Sequence, residues 1–364
     1  MSHLGSPTKV HKRLFIPGPT EVLPDVRAEM ARPPSGHRSP EATQLGERVI
    51  VKLQQLLHTQ APIFLSTSSS TGLMEACVRS GTRKRILGAP CGAFGDRWVE
   101  IARSNGKAID VLPTEWGKAV RPEAVEAELK KGIYDALLLT HNETSTGVMN
   151  PLPEIAEVAR AFPEVFVFVD AVSSLAAVDL DFDALGLDGL LAGVQKAFAC
   201  PPGFAIMAVS RRAIERARQV EHRGFYFDFV RHYDAFEKRQ GITTPSLSHM
   251  YALDLQLDRI LAETMPVREA RHREMAGVTR EWARERFELF PEAGVESITL
   301  TTIRNTREID VPALNRGLAE RGAVISNGYG KLKDKTFRIA HMGEIRQAEV
   351  KELLDWIDEI LGLS

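Results

Sequence analysis

Three short stretches of this sequence carry residue types that could act together on one small ligand. Lys196 stands in Gly193-Val194-Gln195-Lys196-Ala197-Phe198, closing an apolar run and preceding Pro201-Pro202-Gly203. An amine there can be desolvated, which lowers its pKa and frees it for Schiff-base chemistry. A solvated loop lysine is the plainer alternative. Asp170 ends the apolar run 165–169, where its charge is costly unless something pairs with it. A pyridinium nitrogen is one such partner, and the carboxylate would keep that ring an electron sink. A helix cap ahead of Ser173 and Ser174 is the other reading. The third stretch is Ser66-Thr67-Ser68-Ser69-Ser70-Thr71-Gly72. Hydroxyls and free amides at a helix N-terminus bind phosphate, although a Ser/Thr-rich cap would need some of the same residues.

Placing these groups together requires particular elements. From about residue 60 to 210, continuous apolar runs (63–65, 85–88, 109–112, 136–139, 165–169, 189–194 and 204–209) alternate with helical patterns at 73–80, 96–104, 122–131 and 152–162. Continuous runs indicate strands covered on both faces, hence a mostly parallel sheet of about seven strands in an α/β domain. In such sheets ligands sit beyond the carboxyl ends of the strands. Asp170 and Lys196 are 26 positions apart, about one β-turn-α-β unit, so both can face one pocket. Long helical patterns follow at 246–262 and 267–286, and His272 with the other charges of 267–274 reads as a solvated helix face. Strand patterns at 298–303 and 337–340 and helices at 312–321 and 347–361 suggest a smaller α+β domain at the C-terminal end.

The segments Pro17-Gly18-Pro19-Thr20, Asn142-Glu143-Thr144-Ser145-Thr146-Gly147, Val169-Asp170-Ala171-Val172-Ser173-Ser174 and Gln195-Lys196-Ala197 with Pro201-Pro202-Gly203 resemble class V aminotransferases. Within that class the likeness is to the alanine–glyoxylate and serine–pyruvate aminotransferases, and it runs from about residue 14 to the C-terminus. The resemblance implies the aspartate-aminotransferase-like α/β fold of the type I transferases that use pyridoxal 5'-phosphate (PLP). It divides the chain into residues 1–20 covering the site, 21–264 as a large cofactor domain and 265–364 as a small domain. Lys196 would bind the cofactor covalently and then shuttle a proton. Asp170 would pair the ring nitrogen, and Thr144 would bond the phenolic oxygen. Ser69, Ser70, Thr71 and Gln195 would hold the phosphate, with Thr243 reaching over from the second subunit of a homodimer. Arg338, in Phe337-Arg338-Ile339-Ala340-His341, would clamp the substrate's α-carboxylate, a planar anion suited to guanidinium; without the resemblance it reads as a solvent-facing edge-strand arginine. Gly18 would lie over the substrate.

Two departures stand out. Phe94, in Gly92-Ala93-Phe94-Gly95-Asp96, occupies the position where the family often stacks Trp on the cofactor, and an aromatic ring can still stack there. The phosphate loop reads Ser-Ser-Thr where a related form has Ser-Gly-His. Cysteine desulfurase chemistry is disfavoured, because Gln195 replaces the His expected before the lysine and no cysteine lies within 305–335. Phosphoserine aminotransferase activity needs cations for a second anion, which His37, Arg38, Arg223 or Arg239 could supply. A non-catalytic homologue would need neither Lys196 nor Arg338. His222, Arg223, Tyr226 and Phe227 are candidates for the pocket near the subunit interface, and Cys200 is expected to pack rather than react.

Composition narrows the partners. The 364 residues suit two domains, and 46 Lys plus Arg against 48 Asp plus Glu leave a net charge of −2, so no global field recruits nucleic acid or a membrane. Three cysteines make no disulfide framework and no cysteine-rich metal site. Without a signal-peptide pattern or a membrane span, the expectation is a cytoplasmic protein with a short mobile N-terminal tail and small or individually recognised ligands, which the resemblance narrows to amino and oxo acids.

Overall fold

The computed structural model describes residues 11–363, so most of the expected N-terminal tail lies outside the described residues. Seven strands form the larger sheet, in the order Ile63–Ser66, Ala205–Val209, Gly189–Gly193, Phe166–Asp170, Ala136–Thr140, Arg85–Ala89, Ala108–Val111. All pair in parallel from Gly189–Gly193 outward to Ala108–Val111, whereas Ala205–Val209 runs antiparallel to both its neighbours. Apolar residues of one face, such as Leu139, Val169 and Leu190, join one core cluster. Those of the other, such as Leu138, Phe168 and Leu191, join a second. Burial on both faces is what the unbroken apolar runs demanded.

The second sheet has five strands, in the order Arg13–Phe15, Ala323–Asn327, Thr336–Ala340, Leu300–Arg304, Glu288–Leu289. Its first strand comes from the N-terminal segment and pairs in parallel with Ala323–Asn327. That pairing threads residues 16–20 from the smaller sheet across to the larger one. Phe15, Trp282, Ile303, Phe337, Leu318 and Ile357 pack a third cluster beneath the smaller sheet. The helix Met265–Arg286 joins the two regions, with Met265 and Ala276 in the first cluster and Met275, Trp282 and Ala283 in the third.

This placement corrects the solvated-face expectation for residues 267–274: Arg268 and His272 are fully buried. Arg268 donates to the carbonyls of Ala176 and Ala197 at 2.7 Å each and pairs with Glu263 (2.6 Å) and Glu344 (3.1 Å). A charge pattern alone does not reveal such partners, because they arrive from three distant segments. Among the described residues no helix is long and apolar enough to cross a membrane, and Cys77, Cys91 and Cys200 are all free and buried.

Candidate active site

Asp170 is the last residue of its strand, in register with Leu191 of the neighbouring one. The following chain carries Lys196 back over the same strand ends. Asp170 is 3 % exposed, and one oxygen accepts from the Val172 amide at 2.8 Å. Burial pushes its carboxyl up to about 7, against the opposing pull of Lys196 and Arg97. Lys196 is 8 % exposed, and its Nζ donates to the Pro17 carbonyl. Burial lowers this amine to about 8, helped by the Arg338 charge and opposed by Asp170 and Glu143. The solvated-loop alternative for Lys196 therefore fails. An amine with that pKa is neutral in an appreciable fraction near neutrality, as carbonyl chemistry requires.

The N-terminal segment closes over this lysine. A Cβ at Gly18 would stand 2.7 Å from Lys196 Nζ, and the backbone there has φ +131°, so glycine satisfies both contact and conformation. Thr20 fastens the crossing, its amide donating to the Gln195 carbonyl (3.0 Å) and its hydroxyl to the Lys196 carbonyl (2.8 Å).

The serine-rich stretch leads into the helix Ser70–Gly81, with Ser69 at its cap position making no side-chain capping bond. The cap reading thus does not account for these hydroxyls. Ser70 Oγ is buried and has no hydrogen-bond partner, a costly state for a hydroxyl. A Cβ on Gly193 would come within 2.5 Å of Ser70 Oγ and 2.4 Å of Gln195 Oε1. Ser70 and Gln195 therefore converge over a bare stretch of backbone at a helix N-terminus. An unsatisfied donor, open amides and the positive end of a helix fit a phosphate. Thr71 is half-buried in the first turn of the same helix, whereas Thr243 is exposed and has no hydrogen bond to this cradle within the chain.

The opposite wall combines Phe94, Thr144 and Arg338. Thr144 Oγ1 lies 2.5 Å from Ser173 Oγ. Glu143, a residue the sequence reading did not single out, is fully buried. It accepts from the amides of Phe94 (3.1 Å), Gly95 (3.0 Å) and Ser145 (3.0 Å) and from the Ser145 hydroxyl (2.7 Å). It thereby ties the N-terminal turn of the helix Ala93–Ser104 to the turn that carries Thr144. Its burial raises its pKa against those four bonds. The apolar context of the Phe94 helix gave no hint of this link; the acid inside an otherwise small and polar turn was the available signal.

Arg338 sits on the middle strand of the smaller sheet, opposite Thr302 and Ser326, and is 7 % exposed. The solvent-facing edge reading is therefore wrong. Its guanidinium donates to the carbonyls of Asn327 (3.1 and 3.2 Å) and Thr144 (3.1 Å), and among the described residues it has no carboxylate partner. Burial lowers its pKa to about 10. A buried cation with no counter-ion calls for an anionic ligand. Phe94 stacks on Tyr329 with centroids 5.4 Å apart.

Other expected groups lie elsewhere. Arg223 pairs with Asp228 at 2.9 Å and Arg239 with Glu47 at 2.9 Å. His37 lines a separate, mostly apolar cavity with Ile50, Phe64 and Met250, and Arg38 is exposed. The Tyr226 hydroxyl donates to the Thr67 carbonyl (3.1 Å), and Phe227 packs against Gly72, while His222 is exposed. Cys200 is buried, and burial pushes its thiol up, so it packs rather than reacts.

A buried acid, a desolvated amine and an unsatisfied hydroxyl at a helix N-terminus therefore lie near the strand ends of the larger sheet, with the buried Arg338 reaching the Thr144 turn from the smaller one. Known proteins are similar to this one along nearly the whole chain. An uncharacterized aminotransferase of Methanocaldococcus jannaschii is 36% identical over 359 residues, 96% of this chain and 92% of that protein. The aspartate aminotransferase of subgroup IV from Thermus thermophilus superposes with TM-score 0.88 at 30% identity, covering 96% of this chain and 99% of its own. The alanine–glyoxylate aminotransferase of Nostoc sp. superposes with TM-score 0.91 at 27% identity, covering 99% and 97%. The family model for aminotransferase class-V matches residues 21–329, and with the site's geometry this makes the chain a class V aminotransferase, a PLP enzyme of the aspartate-aminotransferase-like fold.

Proposed function

We propose that this enzyme moves an amino group from a small amino acid to a small 2-oxo acid by a ping-pong route, with glyoxylate or pyruvate as acceptor. The single observation that carries this reading is the pairing of a desolvated Lys196 with a buried Arg338 that has no counter-ion. Alanine and serine are the donors implied by the sequence resemblance. The names of the Nostoc and Thermus relatives agree with glyoxylate as acceptor and admit aspartate as a donor.

PLP, when bound, supplies the electron sink. The protein's own groups do the rest. Arg338 Nη1 and Nη2 hold the α-carboxylate and so orient the α-carbon. Lys196 Nζ takes the proton from that carbon and later returns one, as an amine lowered to about 8 can do in both directions. Asp170 holds the ring nitrogen protonated, because a charge opposite its own relieves the burial that now raises it. Ser69, Ser70, Thr71 and Gln195 would hold the phosphate, Thr144 the phenolic oxygen, and Phe94 would contribute an aromatic wall. Gly18 and Thr20 close the N-terminal segment over Lys196 and keep water out. We further propose that Thr243 completes the phosphate site across a homodimer, that residues 21–264 and 265–364 act as large and small domains, and that the enzyme works in the cytoplasm.

The test is the visible absorption of the PLP-loaded protein before and after alanine, serine, aspartate or phosphoserine. The expected result is a band, absent in Lys196→Ala, that one donor bleaches and an oxo acid restores. A band that no amino acid changes would sink the transaminase reading. Phosphoserine activity is the second reading, since Arg97, which lies over the Phe94 ring and donates to Tyr329, is a second cation beside Arg338.

A further inference from the structure

The reading above gives the donor's α-carboxylate to Arg338 and leaves its side chain without a partner. Resting on that reading, we propose that Arg97, aimed by Tyr329, receives a second acidic group on the substrate. Donors with a side-chain carboxylate or phosphomonoester are then preferred over alanine.

Arg97 stands in the first turns of the helix Ala93–Ser104, one helical turn from Phe94, and is half-buried. Its guanidinium lies over the Phe94 ring at 4.8 Å and donates to the Tyr329 hydroxyl at 3.0 Å. Tyr329 stacks on Phe94 at 5.4 Å and 26° and lies 5.6 Å from the guanidinium of Arg338. One phenol thus links both arginines and joins the larger sheet's helix to the smaller sheet's loop beside Phe94. The Arg97 charge favours the ionised form of Asp170, which ties it electrostatically to the Lys196 site.

Among the described residues Arg97 forms no ion pair with a carboxylate. Other arginines of the chain do: Arg85 pairs with Asp110 at 2.7 Å, Arg223 with Asp228 and Arg239 with Glu47. Glu143, the nearby buried acid, is saturated by three amides and a hydroxyl. Stacking on Phe94 and the bond to Tyr329 leave other N–H groups of the fork open, and they are held in place at little entropic cost. Such a fork suits a carboxylate or a phosphate. Alanine would leave it unanswered. Of the groups first considered for a second anion, Arg223 and Arg239 are paired, His37 lines a different cavity and Arg38 is exposed.

The experiment compares the PLP-loaded wild type with Arg97→Gln and Arg97→Lys. It measures kcat/KM for aspartate, phosphoserine and alanine, and calorimetric binding of maleate, an unreactive dianion. We expect the wild type to favour aspartate or phosphoserine over alanine, the better of the two identifying the acid. Arg97→Gln should lower the acidic-donor to alanine ratio by roughly 10- to 100-fold, the loss of one charge-assisted contact. Maleate affinity should fall by a similar factor, and Arg97→Lys should recover part of both. A wild type that prefers alanine, or a ratio moved by less than about twofold, overturns the proposal while transamination stands. If no donor reacts yet maleate binding still depends on Arg97, the dianion site survives and the transaminase reading fails instead.

Discussion

Replacing Asp170 by Asn should stabilise the cofactor-free protein and weaken the loaded one. The carboxyl moves from an ordinary 3.8 to about 7 on folding because it is buried. A group whose folded pKa is raised favours the folded state only while it is protonated. That contribution is complete below the unfolded value near 4 and is lost as pH rises through about 7. Above pH 7 the buried charge therefore costs the apoprotein about 4 kcal/mol, at about 1.4 kcal/mol per pH unit. Asparagine is close to the neutral acid in shape, and its carbonyl can still accept from the Val172 amide. At pH 8 the apo variant should thus melt roughly 5 °C above apo wild type, and the gap should close as pH approaches 4. With PLP bound the order should reverse, because only the carboxylate can hold a protonated ring nitrogen. Differential scanning calorimetry on both forms across pH 4 to 8 reads this directly. An apo variant no more stable than wild type at pH 8 would refute the claim that Asp170 is a strained acid awaiting a cation.

Ser70→Ala should raise apoprotein stability by about 1 kcal/mol, since the hydroxyl is buried without a partner, yet lower PLP affinity about 10-fold in a spectral titration; unchanged affinity would remove Ser70 from the phosphate site. Arg338→Ala should raise the KM for the amino acid about 100-fold or more, with a smaller effect on kcat, as measured by half-reaction kinetics. An untouched KM would end the carboxylate-clamp assignment. Gly18→Ala would set a methyl against Lys196 Nζ at a backbone angle unfavourable for alanine, and should slow cofactor loading with little change in overall helicity by circular dichroism; normal loading would show that the N-terminal segment does not sit on the lysine.

The larger sheet was legible because its strands are covered on both faces. Burial of both faces writes continuous apolar runs such as 165–169 and 189–194, and the seven strands fall where those runs lie. Asp170 and Lys196 were legible for a related reason, since a charge that ends such a run must sit at the ligand-binding edge. The antiparallel direction of Ala205–Val209 was not, because strand composition does not encode direction. Among the described residues five strands were missed: Arg13–Phe15, Asn142–Glu143, Val148–Met149 and Glu288–Leu289, too short to write a pattern, and Ala323–Asn327.

The sequence by itself determined the chemistry available: one lysine and one acid at adjacent strand ends, a run of hydroxyls before a helix, and an arginine in a late strand. Tertiary structure alone decided what each of these meets. It buried Arg338 in the middle of a sheet instead of at an edge, left Ser70 Oγ unsatisfied, and laid Gly18 on Lys196 by way of a strand borrowed by the smaller sheet. It also turned Arg268 and His272 inward and brought Arg97 onto Tyr329. The reason is physical: desolvation and pairing depend on groups brought together from distant positions, and local sequence carries no record of those distances.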